Sequence, residues 1–151
     1  MTIYLKLLNP VMKYLFTLSI SVFLVTILLA LQQKTGTEPR LEESIKKGQE
    51  VYNSYCMSCH MSKGEGIPGA FPPLANADYL MEDKERSIRV VMYGLEGEIV
   101  VNGTTYNSVM TPMGLTDEEV THVLNYIRNS WGNEGEVVAF EEVKAVREAG
   151  E

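Results

Sequence analysis

Residues 56–60 read Cys56-Met57-Ser58-Cys59-His60 and hold both cysteines of the 151-residue chain. Two thiols three positions apart, followed at once by an imidazole, have few chemical uses. A thioredoxin-like dithiol starts a helix after a strand, where the dipole lowers the thiol pKa. Here the motif ends a predicted helix, and no β-α-β pattern follows. A structural zinc site needs four ligands, and beyond the motif the chain offers only the distant His122. A plain disulfide leaves the histidine without a role. Covalent c-type haem attachment uses all three residues. Each thiol can bond one haem vinyl group, and the histidine is carried under the porphyrin, where its ring nitrogen can bind iron. The expected cofactor is one covalent haem c, held without a large enclosing pocket.

The N-terminus bears on the same chemistry. Residues 1–13 carry Lys6 and Lys13 and no acid, and thirteen of the seventeen residues 15–31 are apolar. A basic segment before such a run is a cleaved signal or an uncleaved anchor. At ~1.5 Å per residue the run spans about 26 Å, just short of a hydrocarbon core. Residues 1–33 are therefore read as a membrane anchor or signal helix, residues 34–40 as a linker, and 41–151 as a mono-haem domain. Basic residues flank the run on both sides, so charge does not fix topology. Haem attachment of this kind occurs on the outer face of an energy-transducing membrane, which does.

Lys plus Arg number 13 and Asp plus Glu 20, and without the first 33 residues the net charge is near −9. That excludes the basic patch a nucleic-acid binder needs. It also predicts a partner with a basic docking patch.

Apolar or small residues at Leu41, Ile45, Gly48, Tyr52 and Tyr55 form one helical face leading into the cysteines. Three glycines and Pro68, Pro72 and Pro73 make 61–77 a long loop. Ile88, Val91, Met92 and Leu95 mark another helix. Residues 98–109 alternate weakly around Asn102–Gly103 and suggest a short hairpin or an ordered loop. Thr116 and Glu119 form a capping box before a helix expected over 117–131 and ended by Gly132. Phe140, Val143 and Val146 suggest a last short helix.

A haem iron has a second axial position, taken by Met, by His, or left open. Of eight methionines, Met57 and Met61 flank the motif too closely to reach the opposite face. Met110 and Met113, in V-M-T-P-M-G before the capping box, remain the candidates. His122 is the rival, expected at the surface of its helix.

The chain resembles the class I cytochromes c over roughly residues 41–148. The resemblance is carried by Gly48 and Tyr52 eight and four residues before Cys56, by Val123 and Tyr126, and by Pro72 and Leu74 twelve and fourteen after His60. More narrowly, Y-N-S-V-M-T-P-M-G at 106–114 is similar to the Y-N-G-V-M-P-x-F-G loop of bacterial membrane-anchored or secreted cytochromes. The resemblance implies an all-α class I fold around the haem, preceded by the transmembrane or signal helix. It implies that the Pro72 carbonyl accepts the His60 ring N–H and that Met110 is the distal ligand. Thr111 and Met113 depart from the loop pattern, and Met113 stays a rival ligand. Tyr106 and Asn107 are candidate haem-propionate donors, with packing or loop capping as the alternative.

The expectation is an electron carrier, not an enzyme, with no small-molecule substrate at iron. Its partner would be an oxidase, reductase or dehydrogenase. It would sit in the bacterial cell envelope, anchored to the inner membrane with the haem domain outside, or free in the periplasm if cleaved. The alternatives are a cytochrome subunit of a periplasmic dehydrogenase or reductase complex, with the tail after Gly132 exposed for docking, and a haem sensor or peroxidase-like protein with a labile distal ligand.

Overall fold

The apolar run near the N-terminus forms helix α1 (Pro10–Gln32). In this computed structural model the backbone is described for residues 10–32 and 38–150, and the side chains for 14–26 and 40–150. Residues 1–9, the start of the expected anchor or signal segment 1–33, and 33–37, which take in most of the expected linker 34–40, lie outside the described residues. The chain divides into two units, Met1–Pro39 and Arg40–Glu151. Every described side chain of α1 is exposed. Among the described residues no helix is long and apolar enough to cross a membrane. The side chains described on α1, Tyr14 to Thr26, cover roughly 20 Å of helix, less than a bilayer core.

In the second unit, α2 (Glu38–Tyr55) begins inside the expected linker. Pro39 falls in its first turn, where a missing N–H breaks no helical bond. A one-turn helix α3 (Met57–His60) carries the cysteine motif, and Met61 ends it with φ 64°. Two short helices follow the glycine-rich loop: α4 (Asp78–Glu82), which the sequence pattern does not announce, and α5 (Lys84–Tyr93). The Asp83 carboxylate caps α5 by accepting from the Arg86 N–H at 2.9 Å. Strands β1 (Ile99–Val101) and β2 (Thr104–Tyr106) pair antiparallel, Ile99 opposite Tyr106. The Asn102–Gly103 turn has both φ values positive, as a tight hairpin requires.

Helix α6 (Asp117–Ile127) has the capping box expected of Thr116 and Glu119, with both reciprocal bonds formed. It ends earlier than its apolar spacing suggests. Trp131 lies beyond it at φ 55°, and its ring meets Tyr52 and Tyr126 at 5.0 and 5.2 Å between centroids. The helix stops because this aromatic cluster needs Trp131 folded back. Gly48 lets α2 cross α6: a Cβ there would stand 1.9 Å from the His122 carbonyl oxygen.

The expected exposed tail is instead packed. Asn125 receives the Val138 N–H at 2.8 Å and donates to the Val138 carbonyl at 3.0 Å. Helix α7 (Phe140–Ala149) then buries Val143 and Val146 against α5 and α6. Its Arg147 pairs with Asp117 and donates to the Leu115 carbonyl at 3.0 Å.

Candidate functional site

Cys56 closes α2, its N–H bonding the Tyr52 carbonyl at 2.9 Å. The Tyr52 hydroxyl donates to the Met61 carbonyl at 2.6 Å, so the turn bearing both thiols is held at each end. Burial, and then the neighbouring Cys59, push the Cys56 thiol up to about 11. A redox dithiol is tuned the other way. His122, the only other histidine, is not near the motif. Its Nδ1 accepts from the Ser44 hydroxyl at 2.8 Å where α2 meets α6. Among the described residues no three His, Cys, Asp or Glu side chains gather as a metal site.

His60 is 8% exposed. Its Nδ1 lies 3.0 Å from the Pro72 carbonyl oxygen and donates its proton there. That fixes the tautomer, leaves Nε2 as the free lone pair and raises the ring's basicity. Burial lowers its proton affinity more than the Pro72 bond raises it, which keeps the imidazole neutral and able to ligate. Pro72 is positioned by a folded loop. Gly66 N–H bonds the His60 carbonyl at 3.1 Å, and Leu74 and Ala75 N–H groups bond Gly64 at 2.7 and 2.9 Å. A Cβ on Gly66 would meet the Phe71 carbonyl at 2.4 Å.

The thiols and His60 open onto a crevice enclosing about 1230 Å³ of space free of protein atoms, its mouth included. Pro72 and Leu74 line it, as do Tyr106, Met110, Thr111 and Met113. Met110 is fixed by two backbone bonds to Leu95, each 2.9 Å. This needs a glycine beside it, because a Cβ on Gly94 would stand 2.3 Å from the Met110 carbonyl. Met113 lines the same crevice but packs on the hydrophobic core. Asn107 is exposed and does not line it. Sequence reasoning did not assign Tyr79, Val91, Leu95, Ile99, Val101 or Ile127 to the wall. The hairpin was legible from Asn102–Gly103, but nothing in its residues says that it closes a crevice.

These residues fit a covalent haem. Two thiols, one imidazole with a free lone pair and two thioethers open onto one cleft, and no Asp, Glu, Lys or Arg lines it. Apolar walls suit a porphyrin, and the soft and borderline donors suit iron. The acidic residues are not among the lining, and Glu96 and Glu98 stand exposed beside the lining residues Leu95 and Ile99.

The family model for cytochrome c matches residues 45–131, more than half of the chain. Cytochrome c-552 of Thermus thermophilus is 44% identical over 110 residues, 66% of this chain and 83% of that protein. The cytochrome c subunit of the quinone alcohol dehydrogenase of Gluconobacter oxydans is 36% identical over 90 residues, 57% of this chain and 18% of that subunit. The fructose dehydrogenase cytochrome subunit of Gluconobacter japonicus is 28% identical over 110 residues, 68% of this chain and 22% of that subunit. The chain belongs to the cytochrome c family, as a class I c-type cytochrome that holds one covalent haem c and carries electrons without itself being a catalyst.

Proposed function

We propose that this cytochrome tethers its haem through Cys56 and Cys59, ligates the iron through His60 and Met110, and passes electrons between redox partners of the bacterial cell envelope. One observation carries the reading. His60, oriented by Pro72, and Met110, pinned to Leu95, line a single apolar crevice from segments fifty residues apart. When bound, the haem supplies a reversible one-electron Fe(III)/Fe(II) couple. His60 offers Nε2 because its other nitrogen is committed to Pro72. Met110 offers a thioether that favours the reduced form. Met113 fills the core beside it. With His60 and Met110 both holding the iron, no small substrate would reach it. Tyr106 is buried in the crevice wall, which supports a packing role. Exposed Asn107 is assigned to its loop.

The thiol chemistry supports placement outside the cytoplasmic membrane. The apolar run at 15–31 with its basic flank supports an inner-membrane anchor, or release to the periplasm if it is cleaved. Exposed Tyr55 and Val109 line the crevice, and exposed Ile67 bonds the crevice-lining Phe71. These exposed apolar side chains mark the face offered to an oxidase, reductase or dehydrogenase. A second reading, a cytochrome subunit of a dehydrogenase complex, is supported by the two Gluconobacter relatives. Co-purification of the full chain with a larger subunit separates it from a solitary carrier.

The ligand assignment is tested by visible spectra of the oxidised wild type, Met110→Ala and Met113→Leu. The weak far-red band of a methionine–Fe(III) bond is expected in wild type and Met113→Leu and lost in Met110→Ala. Loss in Met113→Leu instead moves the ligand to Met113. Absence from wild type supports a sensor or peroxidase-like protein.

A further inference from the structure

We propose that the Ser108 hydroxyl is a latch across the mouth of the haem crevice, joining the methionine segment to the loop that orients His60 and so holding Met110 at the iron. This rests on the reading of Met110 as the distal ligand. Ser108 stands two residues before Met110, and its Oγ donates to the Ala70 carbonyl at 2.6 Å. Ala70 stands two residues before Pro72, whose carbonyl fixes the His60 ring. One hydrogen bond therefore ties the segment of one axial ligand to the loop that orients the other.

Both ends of the latch are firmly seated. Ile67 and Phe71 exchange two backbone bonds of 2.8 Å, and the Ala70 N–H bonds Ile67 at 3.0 Å, so the acceptor sits in a closed turn. On the other side the two Leu95 bonds seat Met110 itself. Between these points the chain is open. Ser108 is exposed, and Val109 is 62% exposed. Among the described residues, Ser108 makes the only side-chain hydrogen bond from 107–114 to the rest of the chain. Without the hydroxyl, the approach to Met110 hangs on the Leu95 pair alone. The loop string that 106–114 resembles has glycine at this position, which cannot make the bond and adds backbone freedom.

An added ligand would replace Met110 in the fraction of molecules in which its segment is displaced from the crevice, and its apparent affinity would scale with that fraction. One net hydrogen bond sets the fraction by about 2- to 10-fold.

The test titrates the full-chain oxidised haem protein with imidazole, read by loss of the far-red band. Wild type is compared with Ser108→Ala, Ser108→Thr and Ser108→Gly. Ser108→Ala is expected to bind imidazole about 2- to 10-fold more tightly. Ser108→Thr, which keeps a hydroxyl, is expected to match wild type. Equal affinity in Ser108→Ala and wild type overturns the latch, as does a change confined to Ser108→Gly, which assigns the effect to backbone freedom. A wild type without the far-red band overturns the Met110 reading and the latch together. A band present in wild type, with Ser108→Ala unchanged, overturns the latch alone.

Discussion

Single atoms decide much of this molecule. Gly48 has no Cβ because one would sit 1.9 Å from the His122 carbonyl oxygen and 2.8 Å from the Tyr126 Cβ. Backbone cannot yield as a flexible side-chain tip can. Gly48→Ala is therefore expected to destabilise the haem protein by about 2–3 kcal/mol, measured by denaturant unfolding. A change below about 0.5 kcal/mol would mean that the helices separate freely. His122 sets a pH dependence at the same crossing. Burial first, then Lys47, hold its pKa below the ordinary value of 6.5. The unfolded chain then binds the extra proton more readily, so stability rises with pH between the folded pKa and about 6.5. Above 6.5 the contribution is fully present, and it is lost as pH falls through that window. On the proposed ligation His60 would be committed to iron in the haem-loaded protein, which would leave His122 as the titrating histidine. His122→Gln should flatten the slope of stability against pH just below 6.5. An unchanged slope would assign it to the carboxylates.

At the scale of elements, much was legible because local chemistry specifies it. The Thr116–Glu119 capping box and the Asn102–Gly103 turn need only neighbouring residues. Gly48 and Tyr52 sit on a face whose period is visible. What was not legible depends on distant partners. Trp131 continues the 3.6-residue period of α6 yet lies outside it, because contact with Tyr52 and Tyr126 outweighs one more helical turn. The segment after Gly132 reads as charged and exposed. Val138, Val143 and Val146 are nonetheless buried, Val138 held by Asn125 from thirteen residues away and α7 packed on α5 and α6. Within the site, the cysteine motif, Pro72 and Met110 could be read from spacing and resemblance. The hairpin wall and the Ser108–Ala70 bond could not, since nothing local marks residues that meet across a crevice. Helix α7 is thus part of the domain. Val143, fully buried between helices, should cost about 1.5–3 kcal/mol when changed to Ala. The thermal midpoint of the haem protein reads this, and an unchanged midpoint would return α7 to the status of a loose tail.

At the scale of the whole molecule, a domain of this size closes on its cofactor. Leu80 of α4, Val91 of α5, Val123 and Ile127 of α6 and Ile99 and Val101 of the hairpin line one crevice. The same walls exclude charge from the redox site, although the chain is acidic overall. With His60 and Met110 as the proposed ligands, an iron inside such walls would exchange electrons and nothing larger. The most direct measurement of that claim is carbon monoxide binding to the reduced full-chain protein at neutral pH, beside a potentiometric titration of the same sample. One reversible one-electron wave and no spectral change with carbon monoxide are expected. Stoichiometric binding to the wild type would contradict it, placing an open or exchangeable site where Met110 is assigned.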